Sequence, residues 1–174
     1  TQDGLDLLYH NTGTLTVKRS WFEGNAGNQL KNGGGNVTIE NSVLIGNCDY
    51  YYQNPLRAAG AGFANCRAVG DTIDVNFPGS ELVIKNSTIT GRGNALILSE
   101  GDGCDGTEKM IMYNNIFVGN HLWPEAGNPR EVSYFYNGGN NGNGGGVCGP
   151  GGSHAYPVDN PSVGHNIFFN LHSS

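Results

Sequence analysis

The sequence predicts an all-β solenoid, a right-handed parallel β-helix of about six to seven coils. Three observations predict it: a ten-residue phrase that returns along the chain, alternation of apolar and polar residues inside that phrase, and an Asn-rich corner that recurs within it. A unit of this size buries its apolar face only by stacking on its neighbours, so the repeat decides the architecture before any single residue does.

The phrase reads TVKRSWFEGN at 16–25, TIENSVLIGN at 38–47, VIKNSTITGR at 83–92 and IMYNNIFVGN at 111–120, with a degraded copy, SVGHNIFFNL, at 162–171. The first two copies start 22 residues apart and the second and third 45 apart, which leaves room for two periods. A weaker copy, FANCRAVGD at 63–71, stands in that gap, and the 51 residues between the copies at 111 and 162 again read as two periods.

Within each phrase the spacing is that of strands. Val37, Ile39 and Val43 alternate with polar neighbours, and Leu82, Ile84 and Ile89 stand in a similar setting. β-branched residues at period two argue for extended chain. No stretch of ten residues shows a helical apolar period free of Gly, and the recurring Leu frame of a leucine-rich repeat is absent; Gly supplies 29 of 174 residues, which disfavours helix further.

Asn41, Asn65, Asn86 and Asn114 occupy one place in successive copies. Asn tolerates the left-handed backbone of a sharp corner, and amides stacked at the strand repeat of about 4.8 Å can form a ladder. Arg19 and His165 replace it in the first and last copies, where a ladder ends. Gly-Asn pairs (24–25, 46–47, 119–120) mark the next corner, and second strands follow at 4–9, 28–31, 49–53, 72–77, 95–99 and 132–136.

The whole chain, 1–174, reads as a single β-helix domain with a Gly/Asn-rich loop insertion at 137–152. It begins at Thr1 without Met or a signal peptide, and both ends look cut, so the chain is expected to be a mature product or a fragment. Open coil ends expose strand edges and apolar stack, which leads to the expectation of end-to-end self-association.

A net charge of −6 argues against nucleic acid as partner. No run of 18 apolar residues would span a membrane. Cys48, Cys66, Cys104 and Cys148 lack zinc-site spacing and are read as structural. Four cysteines allow three pairings; a Cys48–Cys66 bridge between adjacent coils leaves Cys104 and Cys148 to pair. Disulfides together with a Lys-poor composition rich in Asn, Gly and Thr suggest an extracellular, secreted solenoid. Two N-x-S/T sequons begin at Asn36 and Asn86, both in repeat positions, and no glycan is expected there.

The candidate chemistry lies near the start. The chain opens with DGLDLLYHN at 3–11, reads GNQLKNGG one coil later at 27–34, and GNCDYYYQN after the next corner at 46–54. This succession resembles the family nine pectate lyases of the polysaccharide lyases, where an Asp-Gly-Phe-Asp-Leu strand is followed by a Gly-Phe-Lys-Leu-Gly-Gly strand. The resemblance covers about the first third of the chain. It implies β-elimination on an acidic (uronate) polysaccharide such as pectate, Asp3 and Asp6 as calcium ligands, and Lys31 as the Brønsted base. Gln2 stands where a further calcium aspartate of the family would, and a fourth would precede Thr1.

The residue types suit that chemistry. Carboxylate-held calcium would neutralise the substrate carboxylate and favour a neutral lysine beside it. Asp6 and Lys31 are 25 residues apart, close to one coil, which would put them on neighbouring strands of one face. Arg57 and Arg67 are candidates for binding substrate carboxylates. Tyr50 and Tyr52 would face one side of a strand and offer rings for sugar stacking; His10 is a candidate for sugar hydroxyls. Asp3, Asp6, Asp49 and Asp74 could instead line one face as the carboxylates of an inverting hydrolase. Two non-catalytic readings compete: a structural or adhesive solenoid, and a carbohydrate-binding module built on the tyrosines.

Overall fold

The computed structural model describes residues 3–7, 13–25, 27–32, 35–46, 71–75, 81–91, 95–99, 109–119, 132–137 and 163–172. Strands recur in sets of three. They are β1 (Leu5–Leu7), β2 (Thr14–Lys18) and β3 (Trp21–Glu23); β4 (Leu30–Asn32), β5 (Asn36–Glu40) and β6 (Val43–Gly46); β7 (Asp71–Val75), β8 (Glu81–Lys85) and β9 (Thr88–Gly91). There follow β10 (Ala95–Ser99), β11 (Lys109–Tyr113) and β12 (Ile116–Gly119); β13 (Val132–Asn137), β14 (Val163–Gly164) and β15 (Ile167–Phe169); and a last short β16 (Leu171–His172).

Like members of each set stack into three parallel sheets. The first runs β1-β4-β7-β10-β13-β16, the second β2-β5-β8-β11-β14 and the third β3-β6-β9-β12-β15. Every pairing is parallel, and no helix occurs among the described residues. This is the parallel β-solenoid that the repeat predicts.

The interior is a set of stacked apolar columns. Val17, Ile39, Ile84 and Met112 succeed one another in the second sheet; Leu44, Ile89 and Phe117 do so in the third; Leu30, Ile73 and Ile97 do so in the first. All are buried, and each such side chain contributes roughly 1.5–3 kcal/mol on leaving water. Phe168 continues the third column by stacking on Phe117, with ring centroids 5.3 Å apart.

Each ten-residue phrase is two strands joined by one left-handed residue. Arg19, Asn41, Asn86, Asn114 and His165 all have φ between 50° and 57°. The bend resets the inside–outside phase: Ile39 points in, and beyond the corner Leu44, not Val43, is the buried residue.

The side-chain ladder sits mainly one residue later than the sequence suggests. The Ser20 N–H donates to Ser42 Oγ, Ser42 N–H to Ser87 Oγ, Ser87 N–H to Asn115 Oδ1 and Asn115 N–H to Asn166 Oδ1, at 2.9–3.1 Å. Ser42, Ser87 and Asn115 are buried, so this column satisfies backbone donors inside the wall. The outer Asn column contributes one contact among the described residues, Asn114 Nδ2 to Asn86 Oδ1 at 3.3 Å. Asn65 lies outside the described residues.

Across the long intervals the described strands pair with one another directly. β5 pairs directly with β8 (Thr38 opposite Val83) and β6 with β9. β4 likewise pairs with β7; the strand expected at 49–53 lies outside the described residues, as does all but the last residue of the weaker copy at 63–71. β11 pairs directly with β14 across the second long interval.

Candidate functional site on the outer face of the first sheet

On β4 the buried Leu30 and Asn32 flank Lys31, and on β7 the buried core residues Ile73 and Val75 flank Asp74. Alternation therefore turns Lys31 and Asp74 outward. Register places Asp6 opposite Lys31 and Lys31 opposite Asp74, so three charged residues stand in one row across three strands, each step about 4.8 Å.

Lys31 and Asp74 form an ion pair, Nζ to Oδ2, at 2.6 Å. The Asp74 side chain is 3% exposed and that of Lys31 19%. A carboxylate so far from water is costly without a cation beside it. The freedom of an ordinary lysine side chain is thus reduced here: the ammonium is held on a rigid wall, not trailing in solvent as a lysine at a strand end usually does.

At the other end of the row Asp6 is exposed on β1, with Asp3 three residues before it. The Asp6 carboxyl is raised above its ordinary value of 3.8, first by local desolvation and then by the charge of Asp3 and a hydrogen bond with it; Lys31 pulls in the opposite direction. Asp3 also has a structural task, since its Oδ1 accepts the Asn28 backbone N–H at 2.6 Å. The Gly between the two aspartates is required by space: a Cβ on Gly4 would lie 2.6 Å from Asn25 Nδ2 and 2.7 Å from the Gln29 carbonyl oxygen.

Asp3 and Asp6 match a hard dication in donor type, since both are carboxylates. They do not make a cage: among the described residues no group of three or more His, Cys, Asp or Glu side chains could hold a metal. Any calcium held here would take its remaining oxygen ligands from water and substrate.

The structure thus brings together Asp3, Asp6 and Lys31, and adds Asp74 as the partner of Lys31. His10, Tyr50, Tyr52, Arg57 and Arg67 lie outside the described residues, as do Asp49 and the four cysteines, Cys48, Cys66, Cys104 and Cys148. Asn32 is a feature that the sequence reading missed. It is fully buried beside Lys31, and among the described residues neither its Oδ1 nor its Nδ2 finds a hydrogen-bond partner. Comparisons with protein-family models, with curated proteins and with solved structures find no match for the chain.

Proposed function

We propose that this chain is a secreted, right-handed parallel β-helix of pectate lyase type that cleaves an acidic polysaccharide by β-elimination. One observation carries the reading: Asp6 and Lys31 are direct cross-strand neighbours on the outer wall, in the register that one coil of 25 residues demands.

In this reading the Lys31 ammonium that Asp74 holds at rest first gives a proton to solvent, and Nζ, then the free amine, takes the proton α to a uronate carboxylate. The electron pair of that C–H bond becomes a carbon–carbon double bond as the C4–O bond breaks, and the departing sugar oxygen takes its proton from solvent. Calcium, where bound by Asp3 and Asp6, supplies positive charge that neutralises the uronate carboxylate. The row of outward side chains orients one sugar of the polymer against the lysine, and proximity of this kind lowers the barrier without further chemistry.

A second reading is favoured by a different observation. Asp6 and Asp74 stand in one row on alternate strands with Lys31 between them, and an inverting hydrolase works with two carboxyl groups on one face. Their surroundings also differ: Asp6 is shifted towards the protonated form, and Asp74 is paired with an ammonium. That is the asymmetry a general acid and a general base require.

Incubation with polygalacturonate and with other polyuronates, with and without calcium, separates the two. Elimination yields unsaturated ends that absorb in the ultraviolet; hydrolysis yields saturated reducing ends only. Ultraviolet-absorbing products that vanish in Lys31→Ala support the lyase. Reducing ends without absorbance support the hydrolase.

A further inference from the structure

The geometry points to Asp74 as a positioning residue that anchors the Lys31 ammonium on the outer wall, one strand from Asp6. The catalytic importance of that anchor rests on the lyase reading; the anchoring itself does not.

Three observations converge on Asp74. Its carboxylate lies 2.6 Å from Lys31 Nζ. It is 3% exposed, so the pair is drawn together in surroundings where charge attraction is screened far less than at a wet surface. Its backbone is fixed from behind, because Ile73 and Val75 on either side are buried in the core and β7 is bonded between β4 and β10. A lysine carries four flexible bonds, and an unanchored Nζ would sample many positions over the wall. A buried carboxylate on a rigid strand removes that freedom.

Cost points the same way. A buried ion pair is often no more stable than a well-packed apolar pair of similar volume. Apolar residues on β4 and β7 would have closed this part of the wall, as they do on its inner face. The charged pair has a use beyond folding if it sets the place of the amine beside the Asp3–Asp6 carboxylates.

The test uses the whole chain and reads the Lys31 amine directly. Reductive methylation is followed site by site by mass spectrometry in the wild type, Asp74→Asn and Asp74→Glu. Freeing the amine in Asp74→Asn is expected to speed Lys31 modification several-fold, with Asp74→Glu between the two and Lys18 and Lys85 unchanged. Equal rates at Lys31 in the wild type and Asp74→Asn would overturn the anchor. Where the polymer is cleaved, Asp74→Asn is expected to lower kcat by ~100-fold with little change in KM, the scale of loss for a misplaced group. An unchanged kcat would overturn the positioning role. If Asp74→Asn does not fold, Asp74→Glu, which keeps the charge and moves it by one methylene, carries both measurements. If no polymer is cleaved, the lyase reading fails alone and the methylation rates still decide the anchor.

Discussion

Two rows of charge cross this solenoid, one on each of two walls, and they differ in what surrounds them. On the second sheet Lys18, Glu40 and Lys85 stand in register, with Lys18 to Glu40 at 2.8 Å and Lys85 to Glu40 at 3.2 Å. On the first sheet Asp6, Lys31 and Asp74 stand in register in the opposite order of sign. The Lys18 side chain is 50% exposed, whereas Asp74 is 3% exposed. The same stacking rule builds both rows. Solvent at Lys18 weakens the second-sheet row, whereas the burial of Asp74 makes the Lys31–Asp74 pair costly to break and specific in position.

The largest contrast is expected from removing the lysines. Lys31→Met takes the ammonium away from a buried carboxylate and should cost about 3 kcal/mol or more of stability in urea denaturation, along with all cleavage of polyuronate. Lys18→Met on the other wall should leave both close to wild type. Similar losses from the two substitutions would erase the distinction between the walls.

Next come changes to the inner structure shared by both walls. Ser87 Oγ accepts the Ser42 N–H and donates to the Lys85 carbonyl. Ser87→Ala should therefore cost about 1–3 kcal/mol, the penalty of leaving a buried backbone donor unmet. Asn86→Ala, on the outer column beside it, loses a 3.3 Å contact and a favourable left-handed residue, and should cost less. Thermal melts of the two variants would show which column carries the ladder.

Asp6 offers a smaller effect of opposite sign. Its carboxyl is raised above 3.8 in the folded chain, so the folded state binds more protons than the unfolded one between that value and the raised one. Stability then falls as pH rises through this interval. Asp6→Asn should remove the fall and melt slightly higher than wild type at neutral pH, while any stabilisation by added calcium disappears. A lower melting temperature for Asp6→Asn at neutral pH would contradict the account.

The smallest effects belong to the exposed row. Lys18 and Lys85 hold Glu40 below its ordinary 4.5, and Glu40 holds Lys85 above its ordinary 10.5. The Glu40 contribution is present above about pH 4.5 and lost as pH falls through the lowered folded value. The Lys85 contribution is present below about pH 10.5 and lost as pH rises through the raised folded value. Glu40→Gln should flatten both ends of the stability–pH curve, and high salt should mimic it at neutral pH.

Much of this was legible in the sequence, and the failures have physical causes. The left-handed corners at Arg19, Asn41, Asn86, Asn114 and His165 follow from one repeated place in one repeated phrase. The neighbouring ladder was harder to see, because Ser and Asn both accept a backbone N–H and the column mixes them: Ser20, Ser42, Ser87, Asn115 and Asn166. Asp6 and Lys31 were legible as neighbours because the chain between them is one uninterrupted coil. Asp74 was not legible as the partner of Lys31. Counting residues made the 45-residue interval two periods, which would put another strand between those of Lys31 and Asp74. The pairing of β4 with β7 instead sets Lys31 directly beside Asp74.

That pairing is also where the account is most directly exposed. A double-mutant cycle on Lys31→Met and Asp74→Asn, measured by urea denaturation, reports whether the two side chains touch. The account predicts a coupling of about 1.5–3 kcal/mol, with the double variant recovering much of what Lys31→Met alone loses. Effects that add to within about 0.5 kcal/mol would place the two residues apart and contradict it.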